Sequence, residues 1–472
     1  MIKKVMFCAI ALSMGSVAMA QSTSEVTQDG KGNSSDVTQK GVDHTSTVWV
    51  QGDLNKADVA QDGSYQNADI SILGNRNKAS IDQYGESNEG LIKIGNRDSA
   101  YKANDNNVQI RQLYDAYENL ADVTVTGNRN YAEVDQSGSY DLTKINQSGN
   151  DNIADTEQGS SNEYGEIYID QSGNYNTAIA SQNGYYAYSN IDQSGNYNTA
   201  NVSQEGDLDK SYINQYGNNN NATVTQYGAA FFGIGGNLSE IDQYGNGNSA
   251  EVTQTDINLS AIDQSGNNNG AIVYQTGTNA SALNQSGNGN YATVTQTGVN
   301  ASIIDQSGNN NDASVYQTGT NISDIYQSGN GNYATVTQTG ANASIIDQSG
   351  NNNNATVTQN GLANINTLDQ SGNGNTATVS QYGDVNISLL EQSGNGNTAT
   401  VYQDGFLNVS NVYQWGNGGT VDVSQYGEGH FSNVTQMDGN GNTATVSQTG
   451  FGLSSDVMQV GSNNVANIAQ SN

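Results

Sequence analysis

The stretch Asn290-Tyr-Ala292-Thr-Val294-Thr-Gln296-Thr-Gly298-Val-Asn300-Ala-Ser302-Ile-Ile304-Asp-Gln306-Ser-Gly308 holds two half-repeats, each closing on Gln-x-Gly. Side chains alternate faces along an extended chain, so the even offsets before each Gln point one way together. One half then turns Asn290, Ala292, Val294 and Gln296 inward, and the other turns in Asn300, Ser302, Ile304 and Gln306. The Gly two residues after each Gln, as in Gly298, Gly308, Gly340 and Gly350, is taken as the reversal, where positive φ costs glycine nothing. Two half-repeats make one unit of about 22 residues, a period that means a solenoid whose units cannot bury a face alone.

The same types recur outward in both directions. Asn279, Ser281, Leu283 and Gln285 precede the stretch; Asn342, Ser344, Ile346 and Gln348 follow it, as do Asn375, Ala377, Val379 and Gln381. The inward amides read as one polymerisation ladder: Gln264, Gln275, Gln285, Gln296, Gln306, Gln317, Gln327, Gln338, Gln348 and Gln359, with Asn279, Asn290, Asn300, Asn311, Asn321, Asn332 and Asn342. Val294, Ile304, Val336, Ile346, Val357 and Val379 supply the aliphatic core between them. A buried amide without a partner costs on the order of 1–3 kcal/mol. Recurrence about 4.8 Å along the axis removes that cost, because each side-chain N–H meets the carbonyl of the next coil. A register slip of one residue would exchange the inward and outward sets, so the ladder also fixes register. The fold class expected is all-β: a β-solenoid with two strands per coil and two parallel sheets facing each other.

Composition agrees. The chain has 472 residues, 34% of them hydrophobic, with 55 Gly and no Pro. That is poor material for ordinary cores, yet the periodic Ala, Val and Ile argue against disorder. Lys3 and Lys4, an apolar run from Val5 to Leu12, and Ala18-Met19-Ala20 make residues 1–20 a cleaved secretory signal. Residues 21–472 are then a single repeat array, irregular near 96–125 and 229–238, the latter carrying Phe231 and Phe232. The one cysteine, Cys8, falls in the signal, so no disulfide is expected. The formal net charge is −32, which makes nucleic acid an unsuitable partner, and no stretch after the signal has the length for membrane insertion. Basic residues concentrate between Arg76 and Lys144, and none follows Lys210. Repeats begin at Gln28 and end at Gln470, and no cap is visible over either terminal coil, so both are expected to accept another chain.

Three outward columns stand out. The residue before Gln in one half-repeat reads Asp170, Asp192, Asn214, Asp242, then Asp263, Asn284, Asp305, Tyr326, Asp347, Asp369, Glu391 and Tyr413. Stacked carboxylates repel, by roughly 0.9 kcal/mol per neighbour in water. Leu259, Ala280, Ala301, Ile322, Ala343, Ile365, Ile387 and Val409 make an apolar stripe five residues before Gln. The other half-repeat carries Thr-x-Thr ranks such as Thr293-Val-Thr295 and Thr335-Val-Thr337, which suggest an ice-binding solenoid as an alternative. The 27 Tyr suggest another, a non-polymerising surface adhesin.

The repeat resembles that of the curlins, bacterial curli fibre subunits, described as Ser-x5-Gln-x-Gly-x2-Asn-x-Ala-x3-Gln. Asn300 to Gln317 carries Gln306, Gly308, Asn311, Ala313 and Gln317 at the matching places, with Asn300 at the Ser position and Ser302 inside it. The chain departs from the usual curlin in its greater length and in lacking a Gly-rich leader after Gln21. The resemblance implies a secreted functional amyloid, an extracellular fibre of biofilm matrix on a Gram-negative bacterium. Its partners would be itself, a minor nucleating subunit, and an outer-membrane secretion pore with accessory factors. Enzyme chemistry has no foothold: His44 and His430 stand far apart, carboxylates recur by symmetry instead of converging, and neither a calcium nonapeptide nor a phosphate loop occurs. No catalytic residue, cofactor or metal is expected.

Overall fold

The computed structural model describes residues 21–96, 102–113, 116–228 and 235–472. The secretory signal expected at 1–20 and the pair Phe231-Phe232 lie outside the described residues. Those described form 39 strands and no helix. The chain is a parallel β-solenoid of about 20 coils of about 22 residues. It divides into two compact units, Met1–Asn246 and Gly247–Asn472.

In the first unit, alternate strands build two ladders. Thr45–Gln51, Asn67–Asn75 and Glu89–Ile94 pair in parallel in one, and Lys56–Ser64, Lys78–Glu86 and Asn107–Gln112 in the other. The 96–125 segment is more regular than its sequence suggests. Within it Asn107–Gln112 stays in register with Lys78–Gln83, and Leu120–Asn128 aligns with Glu89–Ile94. The spacing widens in places: bonded glutamines are 29 residues apart at Gln83 and Gln112 and 28 at Gln215 and Gln243, against 22 at Gln61 and Gln83. The second unit repeats the plan with a different coil length: 21 residues from Gln254 to Gln275, 22 from Gln370 to Gln392, 23 from Gln425 to Gln448.

The period of two sets the interior. Ala292, Val294, Ile304, Val336, Ile346, Val357 and Val379 are fully buried, each Val or Ile side chain removed from water for a gain of roughly 1.5–3 kcal/mol. The two ladders meet inside: the Thr143 hydroxyl donates to Gln158 Oε1 at 2.8 Å, Ser189 to Gln204 Oε1 at 2.7 Å, and Gln275 Nε2 donates to Ser281 Oγ at 3.2 Å.

The reversal falls elsewhere than the sequence reading puts it. Gly308 belongs to the strand Ala301–Asn309 with φ 105°, and the left-handed corner is Asn310, φ 56°. Glycine is needed at 308 because a Cβ there would lie 2.0 Å from the Gly329 carbonyl oxygen of the next coil. Corners elsewhere use Arg76, Tyr175, Tyr197 and Asn219, all near φ 58°. At three of these corners the side chains stack or pair with the coil beside them: the Tyr175 and Tyr197 rings lie 4.8 Å apart at 2°, and Arg76 is bonded to Asp105.

Candidate assembly face

In the regular coils an inward glutamine uses its whole amide. Gln306 Nε2 donates to Gln327 Oε1 at 2.9 Å and to the Tyr291 carbonyl at 2.9 Å, while its Oε1 accepts from Gln285 Nε2 at 2.8 Å. The same chain of bonds links Gln264 to Gln285 and Gln327 to Gln348. A second one links Gln275, Gln296, Gln317, Gln338 and Gln359, one per coil. In both units glutamine pairs of this kind donate toward the higher-numbered coil, as from Gln61 to Gln83, Gln147 to Gln171, Gln296 to Gln317 and Gln403 to Gln425.

Asparagines close the corners in two ways. Asn300, Asn321 and Asn342 each donate Nδ2 back to the Oδ1 of the preceding rung, beginning at Asn279. Asn290, Asn311 and Asn332 bond Oδ1 to the backbone N–H of the next rung and donate Nδ2 to a glycine carbonyl, as Asn311 does to Gly329 at 3.0 Å. All of these amides are buried. A third amide ladder, unsuspected from the sequence, runs on the outside through Asn288, Asn309, Asn330 and Asn351 at 2.9–3.0 Å. Its signal was the Asn that follows each Gln-Ser-Gly.

The terminal rungs differ. Gln470 accepts from Gln448 Nε2 at 2.9 Å, and its strand Val465–Ser471 is paired to Thr443–Phe451. Ala466, Ile468 and Gln470 are half-buried where their counterparts are buried, and Val465 is 71% exposed. Gln28, read as the first rung, lies over Val50, not over another glutamine. It donates to Ser35 Oγ at 2.5 Å. In that column Val50, Ile72, Ile94 and Val125 stand where later coils carry Gln. The amide ladder there starts at Gln147, whose Oε1 has no partner because Val125 offers no donor.

Two inward carboxyls break the amide rule. Asp141 stands next to Asn119 in an asparagine column: its Oδ1 accepts from Asn162 Nδ2 at 2.8 Å and from the Gly165 N–H, and Oδ2 is unpartnered. Burial pushes Asp141 up to about 7, with those hydrogen bonds opposing. Asp209, bonded to Asn237 through Oδ1, is raised to about 6 for the same reason. The two histidines are also column members. His430 Nε2 meets the Tyr426 carbonyl at 3.0 Å and its N–H donates to Asn408 Oδ1, the pattern of a corner asparagine, and His44 does likewise with Lys40.

Outside, the acidic column is in register: Asp170 beside Asp192, and Asp347 between Tyr326 and Asp369. Partial burial raises the Asp170, Asp347 and Asp369 carboxyls, and Asp347 and Glu391 raise Asp369 further. Neutral neighbours take up charge: Tyr216 donates to Asp192, Asn214 to Asp242 and Trp415 to Glu391 at 2.7–2.9 Å. Basic residues of the first unit do so by ion pairs between coils, Arg129 to Asp151 at 2.6 Å and Arg111 to Glu133 and Asp135. The Thr ranks are broken, with Thr295 between Tyr274 and Tyr316.

Seven segments, residues 52–85, 195–228, 321–346, 364–394, 394–427, 416–450 and 439–471, match the curlin associated repeat. The chain belongs to the curlin family. A search of curated proteins gave no match to this curlin. The matched curlin segment 321–346 contains the ladder residues Asn321, Gln327, Asn332, Gln338 and Asn342, so the family pattern and the amide columns are one feature. Curlins are structural subunits, and the repeats and solenoid of this one fit a curli-like structural subunit. Among the described residues, no helix is long and apolar enough to cross a membrane, and no group of His, Cys, Asp and Glu has the arrangement to hold a metal ion.

Proposed function

We propose that this curlin is the structural subunit of an extracellular curli-like amyloid fibre, self-assembling end to end by cross-β stacking and contributing to biofilm matrix and surface adhesion. The observation that carries the reading is the residue-for-residue equivalence of successive coils. Ala313, Val315 and Gln317 sit over Ala292, Val294 and Gln296, so the face a coil presents to its successor within the chain is the face it would present to a coil of another copy. The half-exposed Ala466, Ile468 and Gln470 support it, because an in-register strand laid on Val465–Ser471 would bury them and continue the ladder. A minor nucleating subunit and an outer-membrane secretion pore with accessory factors are the partners this reading brings with it. The polymerisation role falls to the glutamine and asparagine columns.

The test is assembly of the purified chain 21–472, followed by amyloid dye and electron microscopy. Fibres diffracting at about 4.8 Å along the axis and about 10 Å across it are expected. A product that stays monomeric at high concentration overturns the reading, and thermal hysteresis from that monomer would put an ice-binding solenoid in its place.

A further inference from the structure

One outward face of the second unit is divided lengthwise by chemistry. Its first column, in register from Leu259 to Phe431, contains only Leu, Ile, Val, Phe and Ala. Leu259 is 46% exposed, Ile322 56% and Ile365 46%. The third column, four residues along each strand, is the acidic one with Asp305, Asp347, Asp369 and Glu391. This division is not imposed by the fold. The equivalent first column of the first unit carries Glu89, Glu166 and Lys210 among its members.

The apolar column also has relief. The small Ala301 and Ala343 flank Ile322, and Val299 and Ala341 run alongside, leaving a shallow groove of about 480 Å³. Ridges of isoleucine and hollows of alanine on one face are complementary to the same face of a second copy.

We propose that this uncharged column is the lateral contact by which two copies of the chain, stacked in neighbouring filaments, pack side by side, apolar margin against apolar margin. The proposal rests on the assembly reading above. Charge selects the occupant. With a formal net charge of −32, two copies repel over most of their surface, and a basic partner would be drawn to the carboxylates instead of to this margin. Margin-to-margin packing keeps each acidic column about 13 Å from the contact line, four residues of strand away, which exceeds the screening length of about 8 Å at physiological ionic strength; Asp324, two residues along from Ile322 and half-buried, is the carboxylate of this face that lies nearer. Area sets the regime. A strip about 40 Å long and 10 Å wide buries about 800 Å² over both copies, below what a stable dimer of free chains needs. Repetition along a fibre multiplies the contact, so pairing strengthens steeply on polymerisation.

The test compares fibres of the wild type with those of the double variant Ile322→Glu and Ile365→Glu, and of a control, Tyr188→Glu, at the equivalent column of the first unit. Wild-type and control fibres are expected as pairs or bundles, and the double variant as single filaments with unchanged dye signal and diffraction. Single filaments from the wild type, or bundles from the double variant as broad as those of the wild type, overturn the proposal. A wild type that forms no fibre at all sinks the assembly reading by itself. The lateral contact is then read by sedimentation equilibrium at high protein concentration: weak dimer in the wild type and monomer in the double variant support it, and equal behaviour of the two overturns it.

Discussion

Gln306 and Gln327, 21 residues apart in sequence, share a side-chain hydrogen bond of 2.9 Å in the interior, and each continues the same bond to a further coil. Replacing Gln306 by Leu removes one rung from the middle and leaves Gln285 with an unused donor and Gln327 with an unused acceptor. The expected loss is about 2–4 kcal/mol, seen as a lower denaturant midpoint. Gln147→Leu is the control. Gln147 Oε1 is already unpartnered, so that substitution only moves the orphan to Gln171 and is expected to cost less than half as much. Equal losses at the two positions would show that the ladder does not behave as a chain of mutual partners.

Gly308→Ala and Asn310→Gly separate crowding from turn conformation. The first drives a methyl group to within 2.0 Å of the Gly329 oxygen in a backbone with φ 105°, and is expected to cost about 3 kcal/mol or more. The second relieves a left-handed asparagine and is expected to fall within about 1 kcal/mol of neutral. Thermal unfolding of both variants at one pH measures the contrast.

Asp141 makes the first unit sensitive to pH. Its folded pKa of about 7 lies above the ordinary aspartate value, so the folded state holds a proton that the unfolded chain releases. The contribution is complete at pH below about 4 and is lost as pH rises through about 7. The protonated acid is also the better mimic of asparagine, since Oδ2 gains the hydrogen that a corner Nδ2 uses. Asp141→Asn is therefore expected to raise stability at pH 8 by on the order of 2–4 kcal/mol and to flatten the dependence between pH 5 and 8. Melting curves of wild type and variant across that range supply the check.

On the outer face, Asp170, Asp347 and Asp369 are raised by partial burial, with Asp192 adding to the effect at Asp170, and Asp347 and Glu391 adding to it at Asp369, so burying them in a stack favours proton uptake. Sign and setting together predict shorter assembly lags at pH 5 than at pH 8, and shorter lags with added salt at pH 8. Lag times indifferent to both variables would remove repulsion in this column as a brake. Asp369→Asn is expected to shorten the lag at pH 8, and to shorten it by less at pH 5.

An addition-blocking variant bears on the open strand. Ile468→Asp places a carboxylate on the half-buried inner face of Val465–Ser471, where an incoming strand would cover it. The coils before it are expected to keep their melting behaviour, while fibre elongation at that end falls at least tenfold in single-fibre imaging.

The inward set was legible because the period of two survives inside the coil repeat: Val294 and Gln296 can face only one way if Ala292 does. The corner was not. A Gly with positive φ beside a reversal reads as the turn itself, whereas Gly308 is kept small by the Gly329 backbone of a coil 21 residues on, a contact no local pattern carries. Val50, Ile72, Ile94 and Val125 were hidden for a related reason. Hydrophobic residues at a glutamine position look like loss of the repeat, yet they stack on each other as well as amides do, and the backbone register passes through them unchanged. His44 and His430 looked isolated in sequence because the role they fill, that of a corner asparagine, is defined only by the coil above.

The uniform sense of the glutamine bonds gives each unit an arrow. Toward higher residue numbers the last amides offer N–H groups, as Gln459 and Gln470 do, and toward lower numbers a rung offers only its carbonyl oxygen. A copy laid on that tip in the reversed sense would set donor against donor in both glutamine columns at once. Joined copies must therefore all run nose to tail, and the two tips of any resulting filament are chemically unlike, each with its own rate of gaining and losing subunits.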